Sequence, residues 1–246
     1  EEFGYFIRKT DGQMQYHSLS AGIKDKISSN DEIWHIIRLG EKIYFQSFTG
    51  WYSYDGKAVS YMDRKSGFRP LYFYTCHDKV YAQMINGGFY EFDGQRFHLL
   101  LERTAVGNDN VVAILPYGNS GMVLLTVDSG LFVYEHGTVS ALRTDIDAQL
   151  RWAKGNRAVM VGDSILAIGT ILDGIYGVDK KGHLLWHLNR DNQLNNNSVM
   201  GLFGDRENNL WAALDDGISF VHTNTSITLL TPSVRDLSIG MVYGVE

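Results

Sequence analysis

Six short glycine-led segments recur along the chain and set the first constraint on its fold. They are "GYFIRKTDG" at Gly4, "GWYSYDG" at Gly50, "GFYEFDG" at Gly88, "GLFVYEHG" at Gly130, "GIYGVDKKG" at Gly174 and "GISFVH" at Gly217. Their spacing is roughly 38 to 46 residues, the period of a propeller blade. A unit of that size cannot bury its own apolar face, so it must stack on its neighbours. The stretch "DRENNLWAALDDGISFV", Asp205 to Val221, has the look of a catalytic or metal-binding loop when seen alone. Because its ending recurs throughout the chain, it reads as architecture.

Each unit divides into four short strands, A to D. In the second, "IWHIIRL" (Ile33–Leu39) is strand A, "IYFQSF" strand B, "WYSYD" strand C and "AVSYM" strand D. Inner strands touch neighbours on both faces and are predicted to be apolar without clean alternation, as in "VVAIL" and "MVLLTV". Outer strands such as "GLFVYE" are predicted to alternate. Asp11-Gly12, Asp55-Gly56 and Asp93-Gly94 read as two-residue type I′ turns between strands C and D. No amphipathic helix of ten or more residues stands out. The expectation is an all-β propeller with four-stranded antiparallel blades. Residues 1–246 form one propeller region, with outer strands of a partial blade at 1–19, five complete blades over 20–231, and the inner strand of another at 232–246.

Composition agrees with many strands joined by tight turns. The 246 residues include 26 Gly, 3 Pro and 13% aromatic side chains, and 44% are apolar. The net charge of −6 comes without blocks of like charge, so no basic stripe for nucleic acid is visible. Cys76 is the single cysteine, which excludes an internal disulfide. No apolar run approaches the roughly 18 residues of a membrane span. A chain opening on Glu1 without Met reads as a processed or excised piece.

"DRENNLWAALDDGIS" resembles the two-component regulator propeller repeat, in which Asp-x-x-Gly-x-Leu-Trp is followed by Gly-Thr-x-x-Gly-Leu. Asp205, Leu210, Trp211, Asp216 and Gly217 occupy matching positions, and Gly169-Thr170 restores the Gly-Thr pair one unit earlier. "IYFQSFTGWYSYDG" and "FGYFIRKTDG" look like units of bacterial regulators that join a propeller to a triple-tyrosine domain and a membrane span. Their output region is of the LuxR type or a hybrid two-component kinase. The resemblance implies a periplasmic, non-catalytic sensory region of an inner-membrane protein. Such a region binds a small ligand, in relatives often a glycan fragment, or a partner domain. It also implies contacts with adjoining domains and a homodimer formed through the full-length protein. No kinase motif or helix-turn-helix lies within these residues.

Other chemistry finds little support in the spacing. The arginines occupy no recurrent slot of the kind a sialidase needs, and paired carboxylates cannot be located from propeller spacing. "VDKKGHLLWHL" resembles a single quinoprotein repeat, read here as strand C, turn and strand D with Trp186 on a neighbouring blade. His183 and His187 lie four apart on that strand, too far apart to share a metal. Cys76 and His77 should point to opposite faces, which argues against a nucleophile pair. No cofactor, metal or catalytic residue is expected.

Ligand contact is placed on the B–C and D–A connections, which gather at one end of a propeller channel. The candidates are Asn86, Asp128, Asp173 and Asp216 on the B–C side and Arg69, Arg151 and Trp152 on the D–A side. Trp152 beside Arg151 offers the flat aromatic and polar neighbour that sugars favour. Gly50, Gly88, Gly130, Gly174, Gly217, Asp205 and Trp211 are assigned to architecture. A protein-interaction scaffold without a small ligand and a glycan-acting enzyme stay open as rival classes.

Overall fold

The computed structural model describes residues 2–27, 32–47, 50–63, 70–93 and 96–223. The predicted sites Arg69 and Gly94, and the inner strand expected at 232–246, lie outside these residues. The chain forms two compact units, 1–103 and 104–246.

The first unit opens with a hairpin of β1 (Gly4–Arg8) and β2 (Met14–Ser18). Sheet I follows, with β3 (Ile33–Leu39), β4 (Lys42–Ser47), β5 (Gly50–Tyr54) and β6 (Val59–Asp63) in consecutive order. Sheet II repeats that order with β7 (Pro70–Cys76), β8 (Lys79–Met84), β9 (Phe89–Phe92) and β10 (Phe97–Leu101). Every neighbouring pair is antiparallel. The four-stranded meander read from the sequence is thus the observed unit, and the fold is an all-β propeller.

Aromatic rings make the core between sheets I and II. Trp51 stacks on Tyr44 at 5.1 Å and meets Phe92 edge-on at 5.1 Å, while Phe73 lies 5.3 Å away. Gln46 adds a polar clamp: its Nε2 donates to Leu71 C=O at 3.1 Å, and its Oε1 accepts from Phe73 N–H at 3.0 Å. On the other face of sheet I, Phe3 and Ile23 cover Phe45 and Tyr52. That cover reaches strand A at Ile33 but not at Ile36, which is paired with Phe45 and 63% exposed. Burial therefore alternates along β3, contrary to the expectation for inner strands.

The second unit contains sheet III, with β11 (Val111–Tyr117), β12 (Gly121–Thr126), β13 (Leu131–Glu135) and β14 (Thr138–Leu142). Helix α1 (Asp147–Ala153) leads into sheet IV, with β15 (Gly155–Val161), β16 (Ile165–Thr170), β17 (Ile175–Asp179) and β18 (Leu184–Leu188). Sheet V shows β19 (Val199–Gly204), β20 (Leu210–Leu214) and β21 (Ile218–Val221). Its predicted strand D falls outside the described residues. Here the core is aliphatic: Ala167 and Ile175 of sheet IV pack with Val199, Leu210 and Ala212 of sheet V. All six residues of β12 are buried, as a strand covered on both faces requires. The outer strand β13 does not alternate; Leu131 is buried and the rest are half-buried. Trp186 lies across from Gly177 and joins the cluster shared with sheet V, as anticipated.

Turn chemistry differs from the sequence reading in one respect. At Asp11-Gly12 and Asp55-Gly56 only the glycine is left-handed, at φ 86° and 88°. The aspartates keep ordinary φ and spend their carboxylates on backbone donors: Asp11 Oδ1 accepts from Gln13 N–H, and Asp55 Oδ1 from Lys57 and Ala58 N–H. Two-residue left-handed turns occur instead at His77-Asp78 and His136-Gly137. Cys76 ends β7, is buried, and has its thiol pushed up to about 11 by desolvation, which makes it inert.

The repeated B–C glycines answer two needs. Gly130 and Gly174 are left-handed at φ 86° and 71°, but a Cβ on Gly130 would meet open space, whereas one on Gly174 would strike the Leu188 carbonyl. Gly130→Ala should therefore cost only the left-handed penalty, about 1–2 kcal/mol. Gly174→Ala should cost about 3 kcal/mol or more, because backbone must also move. Urea unfolding of the two variants checks this; equal losses would show that close approach contributes nothing.

Candidate functional site

The polar end of the second unit is built from its B–C turns. At the close of strand B a buried hydroxyl staples each turn in sheets III and IV. Thr126 Oγ1 donates to Gly130 C=O at 2.8 Å and accepts from Ser129 N–H at 3.2 Å. Thr170 Oγ1 donates to Gly174 C=O at 3.0 Å and accepts from Asp173 N–H at 3.0 Å. Both threonines are buried, which accounts for the Thr of the Gly-Thr pair, while a Cβ on Gly169 would strike Val199. In the first unit Ser47 Oγ plays the same part toward Gly50, and Gln83 replaces it by donating to the Met84 and Gly87 carbonyls.

Backbone bonds then join each turn to the start, or the approach, of the first strand of its own sheet and of the next. Val127 N–H donates to Asn110 C=O at 3.2 Å within sheet III, while Val127 C=O accepts from Gly155 N–H of sheet IV at 2.8 Å. One sheet later, Ile171 N–H reaches Lys154 C=O at 2.9 Å, and Gly174 N–H reaches Asn197 C=O ahead of sheet V at 2.9 Å. The buried Asp109 carboxylate tightens the first of these turns, accepting from Asp128 N–H at 2.6 Å and Ser129 N–H at 2.9 Å.

Helix α1 occupies the D–A connection between sheets III and IV. Asp147 fixes its start by accepting from Thr144 N–H at 2.9 Å and Thr144 Oγ1 at 2.8 Å. Ile146 and Leu150 anchor it in the core. The opposite side raises Arg151 and Trp152 to the surface, Trp152 being 52% exposed. The next side chain but one, Lys154, pairs with Asp128 at 2.6 Å. That exposed ion pair contributes at most about 1 kcal/mol. Several backbone bonds of about 0.5–1.5 kcal/mol each hold the same segment, so they fix Lys154 in place. Leu172, 50% exposed, rides on the turn bonded to Ala153.

Asp173 turns inward. Its carboxylate accepts from Tyr176 Oη and from Asn189 Nδ2 at 3.1 Å, and lies 3.4 Å from His187 Nε2. His187 stacks flat on Tyr176 at 4.1 Å and bonds the Asp173 carbonyl at 2.8 Å. Burial, then the Asp173 hydrogen bond and charge, raise the Tyr176 hydroxyl far above its usual range. This network closes the turn from inside.

The structure thus brings Arg151, Trp152 and Asp128 onto joined elements, with Asp173 beneath the following turn. Asp216 is exposed on the B–C turn of sheet V. Asn86 is exposed and left-handed on a turn of the first unit. Lys154 and Leu172 carry no local sequence signal, because Lys154 follows a helix too short to show a periodicity and Leu172 meets it only through the turn's backbone bond to Ala153. The histidine pair differs from expectation: His183 precedes β18 and binds Asp179 Oδ2 at 3.0 Å, while His187 serves the other end of the strand. Among the described residues no three His, Cys, Asp or Glu side chains gather as metal ligands, and no helix is long and apolar enough to cross a membrane.

The Asp205–Trp211 motif is an A–B turn. Asp205 Oδ1 accepts from Glu207 N–H at 2.9 Å and Asn209 N–H at 2.8 Å, and Oδ2 accepts from Trp211 Nε1 at 3.2 Å. Asp179 does the same for Lys181 and His183 N–H in a C–D turn. These backbone donors, Asn209 first for Asp205 and His183 first for Asp179, hold both carboxyls below their ordinary range. Folded-state depression means the stabilisation is present above the unfolded value, about 3.9, and is lost as pH falls through the folded one. The melting temperature should drop as pH is lowered below about 4, and the Asp179→Asn, Asp205→Asn double variant should show a shallower drop. Parallel curves for the two proteins would disprove this role.

No protein-family profile and no curated protein matches this sequence. Similarity appears among solved structures. The extracellular domain of the one component system BT4673 from B. thetaiotaomicron aligns with a TM-score of 0.64 at 19% identity, covering 79% of this chain and 28% of its own. A second structure of that domain, described as part of a hybrid two component system, gives 0.62 at 19% identity, with 80% and 28% covered. The WD40 propeller domain of Doa1 gives 0.61 at 7% identity, with 87% and 69% covered. The shared property is the propeller fold, and the chain spans 28% of the length of the regulator domains it matches.

Proposed function

We propose that this chain is part of the extracytoplasmic sensory propeller of a bacterial two-component-type regulator. In this reading residues 1–246 act as one non-catalytic propeller region within a longer protein. It binds a small polar ligand, a glycan fragment being the leading class, at the B–C and D–A end of the second unit. The observation that carries the reading is Trp152, exposed on a buried-anchored helix beside Arg151 and the Lys154–Asp128 pair. A flat apolar ring on a rigid element, ringed by charged hydrogen-bonding groups, is what a sugar face needs. The fold shared with extracellular regulator domains supports the setting, as does the repeat motif around Asp205 and Trp211. A periplasmic location and an inner-membrane parent protein follow from the same reading.

A second reading, a protein-interaction scaffold, draws on sheet V. Phe203, Trp211, Ile218 and Phe220 share one exposed face there, at positions matching Val159, Ala167, Ile175 and Gly177 of sheet IV. A protein surface would cover that face, whereas a glycan would not.

Calorimetry against neutral and acidic oligosaccharides separates the two. Saturable binding that Trp152→Ala weakens by about tenfold or more supports sensing. An absence of heats across the panel, or binding indifferent to Trp152→Ala, sinks this site.

A further inference from the structure

A cavity of about 400 Å³ lies between sheets III and IV, at the end opposite the B–C turns. Val123, Leu142, Met160 and Leu166 line its apolar part, Tyr117 and the A–B turn of sheet III stand on one side, and Asp179 and Lys180 of the sheet IV C–D turn on the other. The volume falls within the range of small-molecule sites, about 300–1,000 Å³.

Three features distinguish it from a loose crevice. Its outer wall is pinned, because Asp145 N–H donates to Gly182 C=O at 2.9 Å and Asp145 Oδ2 accepts from Leu184 N–H at 3.0 Å. Gly182 packs so closely there that a Cβ added to it would strike the Arg143 carbonyl. Among the described residues no buried polar atom left without a hydrogen-bond partner belongs to the lining, so the apolar part suits a hydrocarbon or aromatic body. Finally, the two charged lining residues are unequal. Asp179 spends its carboxylate on Lys181 N–H, His183 N–H and the His183 ring. Lys180 is exposed and, among the described residues, has no acidic side chain in salt-bridge contact.

We propose that this cavity is a second ligand site, for a small amphiphile with an aromatic or branched aliphatic body and an anionic head. The body fills the space between Val123, Leu142, Met160 and Leu166, and the head meets the Lys180 ammonium. Neither the Trp152 surface nor the sensing role is needed for it.

The probe is 8-anilinonaphthalene-1-sulfonate, titrated by fluorescence and calorimetry into the folded chain. One saturable site per chain is expected. Met160→Trp, which fills the cavity, should weaken binding about tenfold. Lys180→Glu, a surface change that leaves packing intact, should weaken it about three- to tenfold, and the uncharged N-phenyl-1-naphthylamine should gain little from Lys180. Dye binding unchanged in both variants, or abolished instead by Trp211→Ser on the open face of sheet V, overturns the proposal.

Discussion

The carbonyl and amide of a single B–C turn residue, Val127, tie sheet III to sheet IV. The amide bonds Asn110, just ahead of the first strand of its own sheet, and the carbonyl bonds Gly155 in the first strand of the following sheet. Gly174 repeats the outward half of this arrangement toward Asn197. The bonds require each turn to keep its shape with its polar groups pointing sideways, which a buried threonine hydroxyl secures from within. Apolar burial between sheets supplies the larger driving force, but it is non-directional. The turn bonds fix which sheet follows which, and at what offset.

The two units meet the same demand with different cores. Around Trp51, stacked and edge-on rings fill the space between sheets I and II, and a glutamine clamp sets their register. In the second unit small residues such as Ala167 and Ala212 let the sheets approach closely, with Val199, Ile175 and Leu210 filling the seam. Aromatic rings need offset or tilted geometry, so they specify angle. Aliphatic packing adapts to whatever spacing the turns impose.

Much of the architecture was legible because it repeats. The six glycine-led segments marked every C strand, and the antiparallel order followed from short turns. Asp205 and Trp211 could be assigned to shape because a carboxylate followed by donors at fixed offsets is a local device. The type I′ expectation failed at Asp11 and Asp55 for the same local reason. An aspartate that can take one or two backbone N–H groups just further along the chain gains more in an ordinary φ than in the left-handed region. Helix α1 escaped notice because seven residues carry too few turns to show a period, and its stability comes from Ile146 and Leu150 in the core.

The blade was encoded locally: its length, its strand order and its turn positions. All of these arise from contacts within about forty residues, where composition and periodicity act directly. Tertiary structure alone decided which polar side chains share a surface. Asp128 and Lys154 are 26 positions apart and meet only because one sheet's turn bonds the next sheet's first strand. Asp173, one place nearer its glycine and in the slot that Ser129 fills one sheet earlier, was drawn inward by Tyr176, Asn189 and His187. The cavity beneath Tyr117 and Lys180 is equally a product of stacking. Its walls belong to different sheets, and no local pattern encodes the gap between them.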